Sequence, residues 1–333
     1  MTQILSLFLL LTMFSCQKSP PVDTPFQHPT TTLMPMSPLP TETPTNGPSP
    51  TATDEPTPTG LELGDSRDRE PDSMVMMYVP GGGFRMGSTN GDLSYAIDLC
   101  EEYYGEVYGP CERRWWQNEQ PAHSVMLDPY WIDAFEVSNT QYRKCVEAGF
   151  CDPPSGDTFF GDIAYDSHPV VYVDWFQAAE YCEWVDARLP TEAELELATR
   201  GPDSLRFPWG DIFDGDMVNF CDANCEYDWA AGSSDDGHIQ TSPVGSYPGG
   251  ASWSGAFDLV GNVWEWAQDW YDADYFSRSE SRNPKGPDSG TERVRRGGSW
   301  HYSADGVRGT SRFGVGPTNA DSFQGFRCAR DLE

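Results

Sequence analysis

The chain has 333 residues, enough for one large domain or two small ones, and carries 52 acidic against 21 basic side chains for a formal net charge of −31. That balance excludes a phosphate-backbone ligand, which needs lysine and arginine in excess, so no nucleic-acid partner is expected. It suits an exported protein that holds divalent cations, and acidity alone also serves solubility.

Residues 4–14, ILSLFLLLTMF, form an apolar run too short to cross a bilayer, ending at Ser15-Cys16, a small residue before cysteine. Residues 1–16 are read as an export signal with lipoprotein cleavage before Cys16; the alternative is a plain cleaved signal in which Cys16 has no role. The expected location is the bacterial cell envelope, with a lipid on Cys16 as the sole membrane attachment. Residues 17–72 are Pro, Thr and Ser with scattered acids, too poor in apolar surface to offset chain entropy, and are expected to form a disordered tether. The folded domain is then 73–333, near the upper end for a single core.

Within it, MVMMYV (74–79) reads as a strand and the glycines at 81–83 as a turn between strands. Residues 89–120, rich in Tyr, Trp, Glu and Asp, look like an insertion stapled by Cys100 and Cys111. YWIDAFEV (130–137) is strand-like, and a short helix is expected over Ser138 to Ala148. Asp174 followed by Gln177 makes a capping-box pattern ahead of a helix through Ala187, and Thr191 with Glu194 starts another that Gly201 ends. RVRRGGSW (293–300) is strand-like.

Eight cysteines remain after Cys16, an even number in a chain bound for an oxidising compartment, which favours disulfides over a metal cluster. Cys100 with Cys111, Cys145 with Cys151 and Cys221 with Cys225 are close in sequence, although spacing alone does not fix connectivity. Cys221 and Cys225 would also suit a metal or redox site, but no second cysteine pair or nearby histidine supports it. The GGG lacks the Lys-Ser/Thr of a phosphate loop, and no GxSxG, HExxH or HxH occurs. His123 and His168 have no partner pattern and are read as structural. The tryptophans are read mainly as core and loop anchors, with exposed ones able to stack on sugar or peptide.

The long blocks MVMMYVPGGGFRMGS (74–88), PYWIDAFEVSNTQY (129–142), HPVVYVDWFQAAEYCEWVDARLPTEAELELATRG (168–201), FPWGD (207–211), DLVGNVWEW (258–266), RRGGSW (295–300) and GFRCAR (325–330) follow one another in an order that resembles the sulfatase-modifying-factor family, whose best-known members are formylglycine-generating enzymes. The resemblance implies an α/β (α+β) fold related to C-type lectins, with little regular secondary structure and many loops. It implies a disulfide between Cys182 and Cys328. It implies structural calcium at two places: the side chains of Asp258 and Glu265 with the carbonyls of Gly261 and Val263, and the side chains of Asn219 and Asp236 with the carbonyls of Phe220 and His238. Oxygen ligands of this kind, around a glycine that turns the chain sharply, suit calcium.

Family members that make formylglycine hold copper with two cysteines shortly after the GGS segment, and the matching positions here are Tyr302 and Val307. Soft Cu(I) selects sulfur, and neither His301 nor a bridged Cys328 replaces it, so copper is not expected. Ser299, Trp264, Tyr302 and His301 are the groove candidates. The expected function is a binding or scaffold protein for a peptide, glycan or protein ligand. A diverged oxidase or maturation factor for exported proteins, of formylglycine-generating or non-haem metal type, is the alternative.

Overall fold

The computed structural model describes residues 60–103, 105, 109–156 and 158–332; the expected export signal, Cys16 and the tether as far as residue 59 lie outside the described residues. The described part begins its sheet earlier than residue 73. Strand β1, Ser66–Arg69, pairs antiparallel with β2, Met74–Val79, so the C-terminal end of the expected tether belongs to the domain. The cause is a buried charge: the Arg69 guanidinium bonds Asp72 at 2.7 Å and Asp133 at 2.6 Å, locking the hairpin onto β5, Tyr130–Asp133. Strand β10, Ala329–Asp331, completes this sheet in the order β1-β2-β5-β10.

Strands β3, Gly82–Met86, and β4, His123–Leu127, form a separate two-stranded sheet. The glycines at 81–83 therefore do mark a passage between strands, with Gly81 in the link from β2 and Gly82 and Gly83 opening β3 in the next sheet. A second four-stranded sheet runs β8-β7-β6-β9, from Arg312–Val315, Arg293–Arg296, Trp264–Trp270 and Gln324–Gly325. All its pairings are antiparallel except β6 with β9. Of the strand-like runs, YWIDAFEV enters the ladder only through its first four residues, and RVRRGGSW stops at Arg296, where Gly297 and Gly298 take φ of 92° and 80°.

Helix α1 spans Asn90–Tyr103, α2 Asn139–Glu147, α3 Trp175–Trp184 and α4 Glu192–Arg200. The last three each open on a reciprocal capping box, at Ser138 with Gln141, Asp174 with Gln177, and Thr191 with Glu194, which satisfies two otherwise orphaned amides per helix. Helix α3 ends short of Ala187, because Asp186 adopts a left-handed φ of 55° and Arg188 turns to pair with Ala329. Helix α4 is buried along its whole length, glutamates included. Its acids are neutralised by arginines from the sheet and from its own last turn: Glu192 by Arg312, and Glu196 by both Arg296 and Arg200, each at 2.6 Å.

All four expected cysteine pairings form, including Cys182–Cys328 across 146 residues of chain. The latter joins α3 to the segment before β10 inside an aromatic core where Tyr142 stacks on Tyr181 at 5.6 Å and Phe326 packs edge-on against Tyr181. The segment 89–120 carries its own bridge as expected but is anchored more deeply than an insertion need be. Glu119, 2% exposed, accepts from Arg308 and from the Ser88 hydroxyl. The result is a mixed α/β domain of three sheets, four α-helices among the described residues, and long loops.

Candidate functional site: the groove and the acidic loops

Between β7 and β8 the chain runs through GGSWHYSADGV, and the two glycines decide its path. At Gly298 a Cβ would sit 2.3 Å from the Gly306 carbonyl oxygen, so only glycine lets the two arms of the loop touch. The turn tucks Ser299 inside. Its hydroxyl accepts from the His301 amide at 3.4 Å, and its carbonyl accepts from the Tyr302 amide at 2.9 Å. Ser299 and Trp264 are both buried, so of the four groove candidates only His301 and Tyr302, each half-buried, approach the surface.

The four are nonetheless neighbours. Trp264 meets Tyr302 edge-on at 5.4 Å, and His301 stacks on Phe323 at 5.1 Å with Tyr227 edge-on at 4.4 Å. Burial, reinforced by the nearby Arg295 charge, holds the His301 imidazole below its ordinary pKa and therefore neutral at pH 7. Tyr302 and Val307 fall in one apolar cluster with Val218, Phe220, Ala231 and Val260. The eight cysteine sulfurs of the described residues are all in bridges. The Cys221 backbone amide donates to the Tyr302 carbonyl at 2.9 Å.

The expected cation loops lie against each other. Gly261, φ 75°, packs on the Asn219 backbone so closely that a Cβ would come within 2.4 Å of the Asn219 carbonyl oxygen. Asn262 ties the two loops: its amide group donates to Glu136 at 2.6 Å, and its oxygen accepts from the Ser242 amide at 2.9 Å and from Asn219 at 3.1 Å. Glu265 is held bidentate by Arg327, with both contacts at 2.7 Å, and Asp258 accepts from the Gly245 amide at 2.6 Å. Burial raises the Asp258 carboxyl to about 6, with Glu265 as a like charge beside it. Glu136 is pushed well above the carboxylate range by burial and by the charges of Asp258 and Glu265.

In the second loop the Asn219 side-chain amide oxygen is buried with no hydrogen-bond partner among the described residues. Asp236 accepts from the His238 amide at 2.8 Å and from the Tyr247 hydroxyl at 3.1 Å, and burial with the nearby Asp222 raises it to about 7. The Phe220 side chain is buried and packs edge-on against Phe213. No hydrogen bond joins Asn219 to Asp236; each is tied to its own neighbours. Among the described residues no three His, Cys, Asp or Glu side chains converge as a metal-ligand group. The donor sets above mix carboxylates with amide and backbone oxygens. Glu265 is already compensated by Arg327, but the orphaned Asn219 amide oxygen and the carboxylates of Asp258 and Asp236, which have no ion pair among the described residues, are the kind of oxygens that a hard cation relieves, so the donor chemistry of both loops is compatible with calcium. Glu136, Asn262, Arg327 and Asp222 are absent from the expected sets. An acid inside the otherwise apolar end of YWIDAFEV and an arginine preceding the bridged Cys328 are the visible signals for two of them.

Comparison with known proteins places these features in context. The family profile described as a sulfatase-modifying factor enzyme 1-like domain matches residues 62–332. A protein of Chlamydia caviae named serine/threonine-protein kinase pkn1 is 32% identical over 280 residues, covering 78% of this chain and 38% of that one. This chain therefore spans well under half of the kinase-named relatives' length. The formylglycine-generating enzyme of Streptomyces coelicolor is 31% identical, covering 86% of this chain and 96% of its own. A Mus musculus relative named inactive C-alpha-formylglycine-generating enzyme 2 is 29% identical over 81% of this chain and 88% of its own. The structure of PvdO from Pseudomonas aeruginosa superposes with a TM-score of 0.63 at 23% identity, covering 82% of this chain and all of that one, a likeness of fold.

Proposed function

The chain belongs to the sulfatase-modifying-factor family, and from that membership we propose that it is an exported, lipid-anchored and calcium-stabilised member that binds a ligand in its groove and does not oxidise it. The observation that carries this reading is the fate of the two copper positions. Tyr302 and Val307 belong to one apolar cluster, and no cysteine of the described residues is left as a thiol to take their place. Oxidation of a cysteine to an aldehyde with oxygen needs a redox centre that two free thiolates would hold, and a phenol beside a valine offers none.

Calcium in this proposal is structural. Asp258 and Glu265, with the carbonyls of Gly261 and Val263, would hold one ion; Asn219 and Asp236, with the carbonyls of Phe220 and His238, would hold the second. The bound cation would neutralise carboxylates that burial otherwise pushes toward protonation. The aromatic rim of the groove, from Tyr227 through His301 to Tyr302, supplies flat faces for a peptide, glycan or protein ligand.

The test is direct. Purified protein is incubated with copper and a cysteine-containing sulfatase peptide, and the peptide is weighed by mass spectrometry for the aldehyde product. No product is expected. Aldehyde formation, or two reactive thiols on titration of the denatured, unreduced protein, would overturn the reading.

A further inference from the structure

Six buried arginines in this domain, Arg69, Arg200, Arg296, Arg308, Arg312 and Arg327, each have a carboxylate partner at 2.7 Å or closer. Arg295 does not. It is 5% exposed, forms no ion pair among the described residues, and its Nε has no hydrogen-bond partner. Among the described residues the side chain's one hydrogen bond is a long 3.4 Å approach of Nη1 to the Gln324 oxygen. A charge taken out of water without a partner costs several kcal/mol, so its retention requires an explanation.

The surroundings supply one. The Arg295 guanidinium lies 4.9 Å from the Trp264 ring centre, and the Trp264 indole N–H is itself buried and unpartnered. A guanidinium with an unpartnered Nε thus packs over a ring whose own N–H is unpartnered. Phe313, 49% exposed, and Phe323 also lie over the guanidinium, at 5.0 and 5.6 Å. Asp321 is close enough to favour the charged form but is engaged by Asn319 at 2.6 Å and makes no ion pair with Arg295. Arg293, two residues away on the same strand, also has an unpartnered Nε, but it donates to the Gln268 carbonyl and is clamped between Trp175 and Trp270 at 3.8 and 3.5 Å.

We propose that Arg295 and the Trp264 indole form an anion subsite of the groove that receives a carboxylate presented by a peptide ligand. Both groups donate and neither accepts, which selects an acceptor-only partner. The flanking aromatic faces favour a flat anion over a tetrahedral one, and a desolvated guanidinium rewards a carboxylate more than the same pair would at the surface. The chain's overall acidity works against long-range attraction, so discrimination must come from this local pair of donors. The assignment rests on the groove being a binding site: copper-dependent turnover refutes that underlying reading, whereas a silent subsite in a protein without turnover refutes this assignment alone.

The test is a titration of the full chain with sodium propionate, following the Trp264 indole and Arg295 Nε cross-peaks by ¹⁵N NMR, with sodium chloride at matched ionic strength as control. Saturable movement of both peaks with propionate, and none with chloride, is expected. In Arg295→Met the indole response should vanish while the melting temperature stays level or rises, since an unpaired buried charge has been removed. Failure of both peaks to move overturns the subsite. Tighter saturation by sulfate than by propionate overturns the carboxylate assignment. A melting temperature lowered by more than about 5 °C in Arg295→Met shows that the arginine is held for structure and overturns the proposal.

Discussion

Removing the Cys182–Cys328 bridge should destabilise the domain far more than removing the Cys145–Cys151 bridge, and the comparison isolates one physical cause. Both bridges lie in the same aromatic core, and all four cysteines are buried, so Cys182→Ala/Cys328→Ala and Cys145→Ala/Cys151→Ala delete equivalent sulfur contacts. They differ in the chain they close, 146 residues against 6. In the chain-entropy treatment the long bridge removes about 17 cal/mol/K from the denatured state, about 5 kcal/mol at 25 °C, and the short one about 2 kcal/mol. For a folded part of this size each kcal/mol moves the melting temperature by about 2 °C, giving losses of about 10 °C and 4 °C. Calorimetry of the oxidised protein and the two double variants measures both. Equal losses, or a larger loss from the short bridge, would refute the loop-entropy argument and place the stabilisation in local packing.

Other expectations can be checked on the same material. Chelation should lower the melting temperature by several degrees, since a cation present at 1,000 times its dissociation constant contributes about 4 kcal/mol; an unchanged melt counts against both calcium loops. Arg308→Met should cost about 3–5 kcal/mol in urea unfolding, because it leaves Glu119 and Asp305 buried without their cation; a cost below about 1 kcal/mol contradicts the buried-pair account. Asp269 is raised to about 8, by burial first and then by Glu192. A folded value above the unfolded one means that its contribution is complete below the ordinary carboxylate value of 3.8 and lost as pH rises through about 8. The stability of the native protein relative to Asp269→Asn should therefore fall by up to about 1.4 kcal/mol per pH unit across that window. A pH-independent difference would show that Asp269 is ionised in the fold.

Much of the framework was legible because its causes are local. A side-chain oxygen three residues before its partner caps a helix wherever it occurs, and Ser138, Asp174 and Thr191 all do so. The end of α3 was misplaced because Asp186 turns left-handed to feed Arg188 into a pairing with Ala329, a demand set by a strand more than a hundred residues away. The tether's end was misplaced for the same kind of reason: Ser66–Arg69 has a loop-like composition but gains a buried partner in Asp133. In the groove, residue types announced the missing sulfur, yet nothing in the sequence distinguishes Arg295 from Arg296, one without a carboxylate and its neighbour with two.

The amino-acid order by itself determined the family, the starts of α2, α3 and α4 and the absence of sulfur at residues 302 and 307, because each depends on residue identity or on neighbours within a turn of chain; α1, inside the segment read as an insertion, was not among them. Only the tertiary structure decided which charges are compensated. Coulomb energy in a desolvated interior depends on separations of a few ångströms between groups distant in sequence, and folding alone sets those separations.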